Sequence, residues 1–179
     1  VIAGIGYTDP ALGFTADSCL VFTNIHQQST DIKQGVTQAE GDRVVGSGDQ
    51  GIMYGYATNE TPNYMPLTVN LAQGLVRRLD RVRHDTALGR FLRPDGKSQV
   101  TMRFDDEGRP VGIHSLILSV QHSEDIGQDD LRQLLQKTVI EPVCGSWIRP
   151  ETAVRINATG RFVIGGPVGD TGLTGRKIM

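Results

Sequence analysis

Three stretches of this 179-residue chain bring together residue types that do chemistry in concert. The first is Gly46-Ser47-Gly48-Asp49-Gln50-Gly51. It matches the G-x-G-x-x-G string of dinucleotide-binding turns. That fingerprint also needs a strand before it, a helix after it and an acid about 20 positions on. Here a polar stretch precedes, Ile52-Met53-Tyr54-Gly55-Tyr56 is a poor helix start, and position 71 is leucine. The string reads instead as a tight glycine turn presenting the Asp49 carboxylate and the Gln50 carboxamide. The second stretch is Gly165-Gly166-Pro167-Val168-Gly169-Asp170-Thr171-Gly172-Leu173-Thr174-Gly175-Arg176-Lys177. It is not a Walker A loop, because Gly175 precedes arginine rather than Lys-Ser/Thr. Its parts still suit a phosphate. Glycines let backbone N–H groups approach an anion, Arg176 offers a bidentate fork, and Lys177 a point charge. Asp170 could accept from an ammonium or hydroxyl. The competing reading is a glycine-rich linker with a solvated basic end. The third stretch is Leu92-Arg93-Pro94-Asp95-Gly96-Lys97, where Pro-Asp-Gly by residue type alone is an ordinary turn.

Other chemistries find little footing. The four histidines, His26, His84, His114 and His122, show no metal-ligand pairing on a helix. His114 and His122 sit at an even offset, expected to share one strand face as surface or packed residues. There is no Gly-x-Ser-x-Gly elbow and no Cys–His dyad in sequence. Cys19 and Cys144 cannot form a disulfide framework or a zinc site by themselves, and read as buried thiols of a reducing cytosol.

Composition narrows the class. The net charge of −2 argues against a dedicated nucleic-acid binder. No apolar run approaches the roughly 18 residues of a membrane helix, and no signal peptide is evident. A hydrophobic fraction of 38% is enough for a core. Glycine numbers 22, crowded into 41–55 and 160–175, with no collagen period.

The elements that must position the three stretches follow from periodicity. Residues 20–26 and 51–58 are strand-like. Residues 27–42 are polar and lack periodicity, which predicts a mobile loop. Pro66 opens a helix, with Leu71, Leu75, Leu79 and Val82 on one side and Arg77, Arg78 and Arg81 on the other. Residues 98–105 alternate, with Val100, Met102 and Phe104 on one face. Residues 106–110 are a turn and 111–121 a second strand, together a hairpin. Leu131, Leu134, Leu135 and Val139 mark a second helix, with Asp129 and Asp130 at its positive end. Residues 154–157 and 161–164 are short strands. The expected order is β-α-β-β-α-β, an α+β layer with helices on one face of a mostly antiparallel sheet. Residues 1–45 and 165–179 look like pieces of neighbouring units.

Taken together the strings resemble S-adenosylmethionine synthetases. Residues 46–58, Gln27-Gln28-Ser29-Thr30-Asp31-Ile32, residues 92–101, Gly160-Arg161-Phe162-Val163-Ile164-Gly165-Gly166-Pro167, and residues 169–177 all fall in family order. The resemblance implies one of three pseudo-repeated α+β domains plus parts of its neighbours. Residues 1–30 would end the N-terminal domain and 31–45 form a gating loop. Residues 46–160 would be the central domain, and 161–179 the start of the C-terminal one. It implies formation of S-adenosylmethionine from ATP and L-methionine, with triphosphate released and then hydrolysed. By resemblance Gln28 meets methionine, and Asp95, Gly96, Lys97, Arg161 and Phe162 meet ATP, with Phe162 on the adenine. Asp170 is shared between the two substrates, and Arg176 and Lys177 clamp the triphosphate. Lys97, Arg176 and Lys177 are the expected catalytic cations, while Asp49 and Gln50 lie in the signature loop near the site. No metal ligand is assigned to this chain, although the family uses Mg²⁺ and K⁺. A cytoplasmic homodimer or homotetramer with sites between subunits is implied, without nucleic-acid or membrane partners. The family usually has alanine where Ser47 and Thr171 stand, and aspartate where Asn59 stands. Its early His-Pro-Asp-Lys segment and its later Gly-Gly-Gly-Ala-Phe-Ser-Gly-Lys-Asp string have no counterpart here. The alternative is therefore a non-catalytic fragment or binding module.

Overall fold

The computed structural model describes residues 1–37 and 51–172, without the side chains at 32, 34, 35 and 37. Two units can be distinguished, Val1–Cys19 with Ala57–Met179, and Leu20–Tyr56. The elements, in chain order, are α1 (Ile2–Ile5), α2 (Thr30–Thr37), α3 (Leu67–Asp85), β1 (Leu92–Phe104), β2 (Pro110–His122), α4 (Gln128–Leu135), α5 (Glu141–Cys144) and β3 (Ala153–Ile156). Short 3₁₀ turns link several of them, and a π-helical segment, Gln136–Ile140, runs from α4 into α5. The fold is α+β.

The first unit is built on β2. This strand pairs antiparallel with β1 and parallel with β3, in the order β1-β2-β3. The predicted hairpin is present. Its turn closes with Asp105 N–H on Arg109 O at 2.9 Å and Gly108 N–H on Asp105 O at 3.0 Å. Gly108 has φ of +77°, a conformation glycine adopts without Cβ strain. Helix α3 buries Leu67, Leu71, Leu75, Leu79 and Val82, the stripe its periodicity predicts. Arg77 and Arg81 are exposed, whereas Arg78 turns inward and donates from Nε to Thr138 O at 2.8 Å. That bond anchors α3 to the π-helical segment. Leu131, Leu135, Val139 and Cys144 complete one core with Ile113, Leu116, Leu118 and Val120 of β2. Cys144 is buried as expected, but Cys19 is only half-buried.

Several expectations are corrected. Residues 161–164 are not a strand, although their backbone bonds to the end of β2. Residues 20–26 and 51–58 are not strands among the described residues. Phe22 and Ile25 are 90% and 93% exposed. A strand exists only where a neighbour pairs with it in a ladder, and none of the described ladders includes these residues. In the second unit, the stretch expected to be structureless contains α2, with Asp31 in its first turn where the helix dipole favours an acid. The remainder of the expected gating loop, 38–45, lies outside the described residues.

The sheet's irregularities matter most. Thr101 pairs with Ser115 but Met102 with Ile113, so His114 is the extra residue of a β-bulge. The bulge shifts the side-chain alternation by one. His114 is consequently exposed and His122 buried, despite their even offset. A second irregularity falls between Leu92 and Gly96, opposite His122 and Val120. Pro94-Asp95-Gly96 is therefore not a free turn. It is a kinked start of β1, at a place where proline's missing N–H costs no ladder bond.

Candidate functional site

The kink in β1 aims its side chains. Ser98 donates to Ala72 O of α3 at 2.8 Å, and Val100 and Met102 pack on the core, so the even positions face the helices. Lys97 falls on the opposite face of the sheet and is exposed. It forms no hydrogen bond or ion pair with a described residue. The Asp95 carboxylate reaches across 71 residues of sequence, where its Oδ2 accepts from Gly166 N–H at 2.8 Å.

Gly165 and Gly166 are required by this closure. A Cβ on Gly165 would lie 2.7 Å from Phe162 Cε2 and 3.0 Å from Asp95 Oδ2. Gly166 has φ of +65°, and a Cβ there would overlap the Tyr7 hydroxyl. Tyr7 packs edge-on against Phe14 with ring centroids 5.5 Å apart. Burial, then the nearby Asp95 charge, holds the Tyr7 phenol above its ordinary pKa, with Arg83 opposing.

The end of β2 supplies the second wall. Gln121 donates from Nε2 to Val163 O at 2.9 Å and accepts Asp95 N–H at 3.4 Å on Oε1. His122 N–H donates to Phe162 O at 2.9 Å, and Phe162 N–H donates back to His122 Nε2 at 3.1 Å. Arg161 pairs with Glu124. Asp170 is exposed, and its N–H donates to Gly166 O at 3.1 Å. Beside these residues opens a cleft of about 420 Å³, lined by Arg93, Gln121, His122, Ser123, Glu124 and Gly165 among others. The buried Ser123 hydroxyl has no partner among the described residues. A larger cavity of about 540 Å³, near Arg132, Lys137 and Arg155, is lined by none of the predicted site residues.

Asp95, Phe162 and the Gly165-Gly166 turn are thus joined. Gly96 and Lys97 follow on the same strand, Arg161 precedes Phe162, and Asp170 follows the turn. Gln28 belongs to the other unit. Asp49, Gln50, Arg176 and Lys177 lie outside the described residues. Three participants were missed from sequence: Tyr7, Gln121 and the polar role of His122. The available signal was a Gln-His doublet ending an apolar strand, a place where buried polar groups need specified partners.

The comparisons agree with the strings. A profile of the S-adenosylmethionine synthetase central domain matches residues 44–162. The chain belongs to the S-adenosylmethionine synthetase family. It is 52% identical over all 179 residues to S-adenosylmethionine synthase 1 of Rhodospirillum rubrum, covering 46% of that relative. It is 53% identical over the same span to S-adenosylmethionine synthase 1 of Rhodopseudomonas palustris strain BisB18, again covering 46%. The chain therefore spans about half the length of these members of the family. Among the described residues, no helix is long and apolar enough to cross a membrane.

Proposed function

We propose that this chain is the central part of a methionine adenosyltransferase. The methionine sulfur attacks the ribose C5′ of ATP, the C5′–O bond breaks, and triphosphate leaves with the electron pair for later hydrolysis. The observation that carries the reading is the joining of the 92–97, 121–122 and 161–166 segments into one wall. That wall offers an aromatic ring, an exposed lysine and a glycine turn held by a carboxylate.

Each residue has a task that the chemistry demands. Phe162 offers a face for the adenine, with Arg161 beside it. Asp95 holds the Gly165-Gly166 backbone so that its position does not depend on the nucleotide. Gly96 is proposed to meet ATP through its backbone, since a Cβ there would point to α3, 2.9 Å from Leu79 Cδ2. Lys97 meets the growing negative charge of the departing triphosphate, a role in which one preorganised cation is worth about 10²–10³ in rate. Arg176 and Lys177 are proposed to extend that clamp, and Gln28 and Asp170 to orient methionine, with Asp170 also toward ATP. Asp49 and Gln50 would border the site. Holding sulfur and C5′ in line is positional catalysis. Among the described residues no group of three or more His, Cys, Asp or Glu could hold a metal ion. Mg²⁺ and K⁺ are proposed as cofactors of the whole enzyme, with ligands mostly outside this chain. Exposed Leu20, Phe22, Ile25 and Met53 support a homo-oligomer, with neighbouring surface covering the second unit. A cytoplasmic location is part of the same proposal.

The test is Lys97→Ala in the full-length protein, assayed with ATP, L-methionine and magnesium by the mass of adenosylmethionine formed. Turnover should fall by about 10²-fold while thermal unfolding is unchanged. Unchanged turnover would remove Lys97 from the site. Absence of product with the 179-residue chain itself would favour the non-catalytic fragment or binding module.

A further inference from the structure

We propose that His122 is a positioning residue for nucleotide binding, its imidazole fixing the backbone of Phe162 in the orientation that an adenine ring needs. The inference rests on the reading of Phe162 as the adenine-stacking residue, and goes beyond it in naming what holds that ring.

His122 is 2% exposed at the last residue of β2. Its Nδ1 lies 2.8 Å from Ser123 O, an oxygen that can only accept. Nδ1 therefore carries the ring proton, and Nε2 keeps its lone pair. That lone pair accepts Phe162 N–H at 3.1 Å, while His122 N–H donates to Phe162 O at 2.9 Å. Gln128 Nε2, 3.0 Å from the same imidazole nitrogen, is a second donor to it. Both backbone groups of Phe162 are thus held by one residue 40 positions away.

The arrangement imitates a strand pair at the point where β2 stops. A continuing ladder would supply a backbone carbonyl to receive Phe162 N–H. Here the imidazole supplies the acceptor instead. Gln121 repeats the device one step on, bridging Asp95 N–H and Val163 O with a single carboxamide. Sequence 161–164 therefore does not need to be a strand to have a strand's definition. A stacking surface works only if its tilt is fixed before the base arrives, and a misplacement of about 1 Å costs of order 10²-fold in well-ordered sites.

The imidazole touches neither substrate in this reading, so its loss should act on ATP selectively. In the full-length protein, His122→Leu removes the acceptor and retains bulk. The KM for ATP should rise about tenfold or more, with the KM for methionine within about twofold and kcat less affected. His122→Gln, whose Oε1 can stand near the former Nε2, should recover most of the loss. Phe162→Ala is the control. If it leaves the KM for ATP unchanged, the reading of Phe162 itself fails. If it raises that KM while His122→Leu leaves it unchanged, or raises both KM values equally, the positioning role is overturned. Should the leucine variant not fold, the ¹⁵N imidazole shifts of the parent protein decide. A neutral Nδ1–H tautomer with and without ATP is expected, and an Nε2–H tautomer would overturn the inference.

Discussion

Replacing Asn157 by alanine should destabilise the first unit by about 5 kcal/mol, because one side chain completes a β-ladder there. Asn157 follows the last residue of β3 with φ of +45° and is 2% exposed. Its Oδ1 accepts Val120 N–H at 2.8 Å, and its Nδ2 donates to Val120 O at 3.0 Å. Its own N–H donates to Leu118 O at 3.0 Å and its carbonyl accepts Gly160 N–H at 2.9 Å, closing the turn that leads to Arg161 and Phe162. Val120 is fully buried, so alanine would leave two main-chain groups without partners or water. Each orphan costs about 1–3 kcal/mol, hence about 2–6 for the pair. Left-handed backbone adds about 1 kcal/mol for alanine, which asparagine and glycine largely avoid. Asn157→Gly should therefore be about 1 kcal/mol milder than Asn157→Ala. Trp147 is the single tryptophan and packs against this core, so its fluorescence in a urea titration reports the right transition. At a slope of about 2 kcal/mol/M the midpoint should move by about 2.5 M. An alanine variant within about 1 kcal/mol of the parent, or a glycine variant worse than alanine, would refute the ladder-completing role.

Two further outcomes follow from titrating groups. Burial pushes the Cys144 thiol up to about 12, so it should resist alkylation at neutral pH and react only on unfolding, as read by intact mass with time. Hydrogen bonds from the Arg109 backbone and guanidinium, and then Glu107 N–H, hold Asp105 below its ordinary 3.8. A depressed carboxylate stabilises the fold above that value, and the contribution is lost as pH falls through the lowered pKa. Asp105→Asn should thus lower the midpoint of unfolding near pH 7 and converge with the parent in strong acid. Equal differences at both pH values would contradict the assignment.

Much of the fold was legible because its causes are local. Leucines at 71, 75 and 79 with Val82 mark a helix face wherever the chain goes, and α3 buries that face. The Asp105–Arg109 turn is made by its own residues, so the hairpin was readable too. The second helix was readable in position but not in kind, because its last residues take the π form. Residues 20–26 have the composition of a strand, yet composition cannot supply the neighbour that a ladder requires.

The candidate site divides in the same way. Its membership was carried by contiguous strings: Lys97 with Asp95, Arg161 with Phe162, and the glycines after them. From these, with no coordinates, came the family to which the chain belongs. Their arrangement was decided only in three dimensions. The parity argument placed His114 and His122 on one face, and a single bulge at His114 reversed it. Asp95 meets Gly166, and His122 meets Phe162, across separations of 71 and 40 residues. Periodicity and turn chemistry belong to neighbouring residues and survive in the sequence. Contacts over such separations depend on strand register, and one extra residue in a strand sends every later side chain to the opposite face.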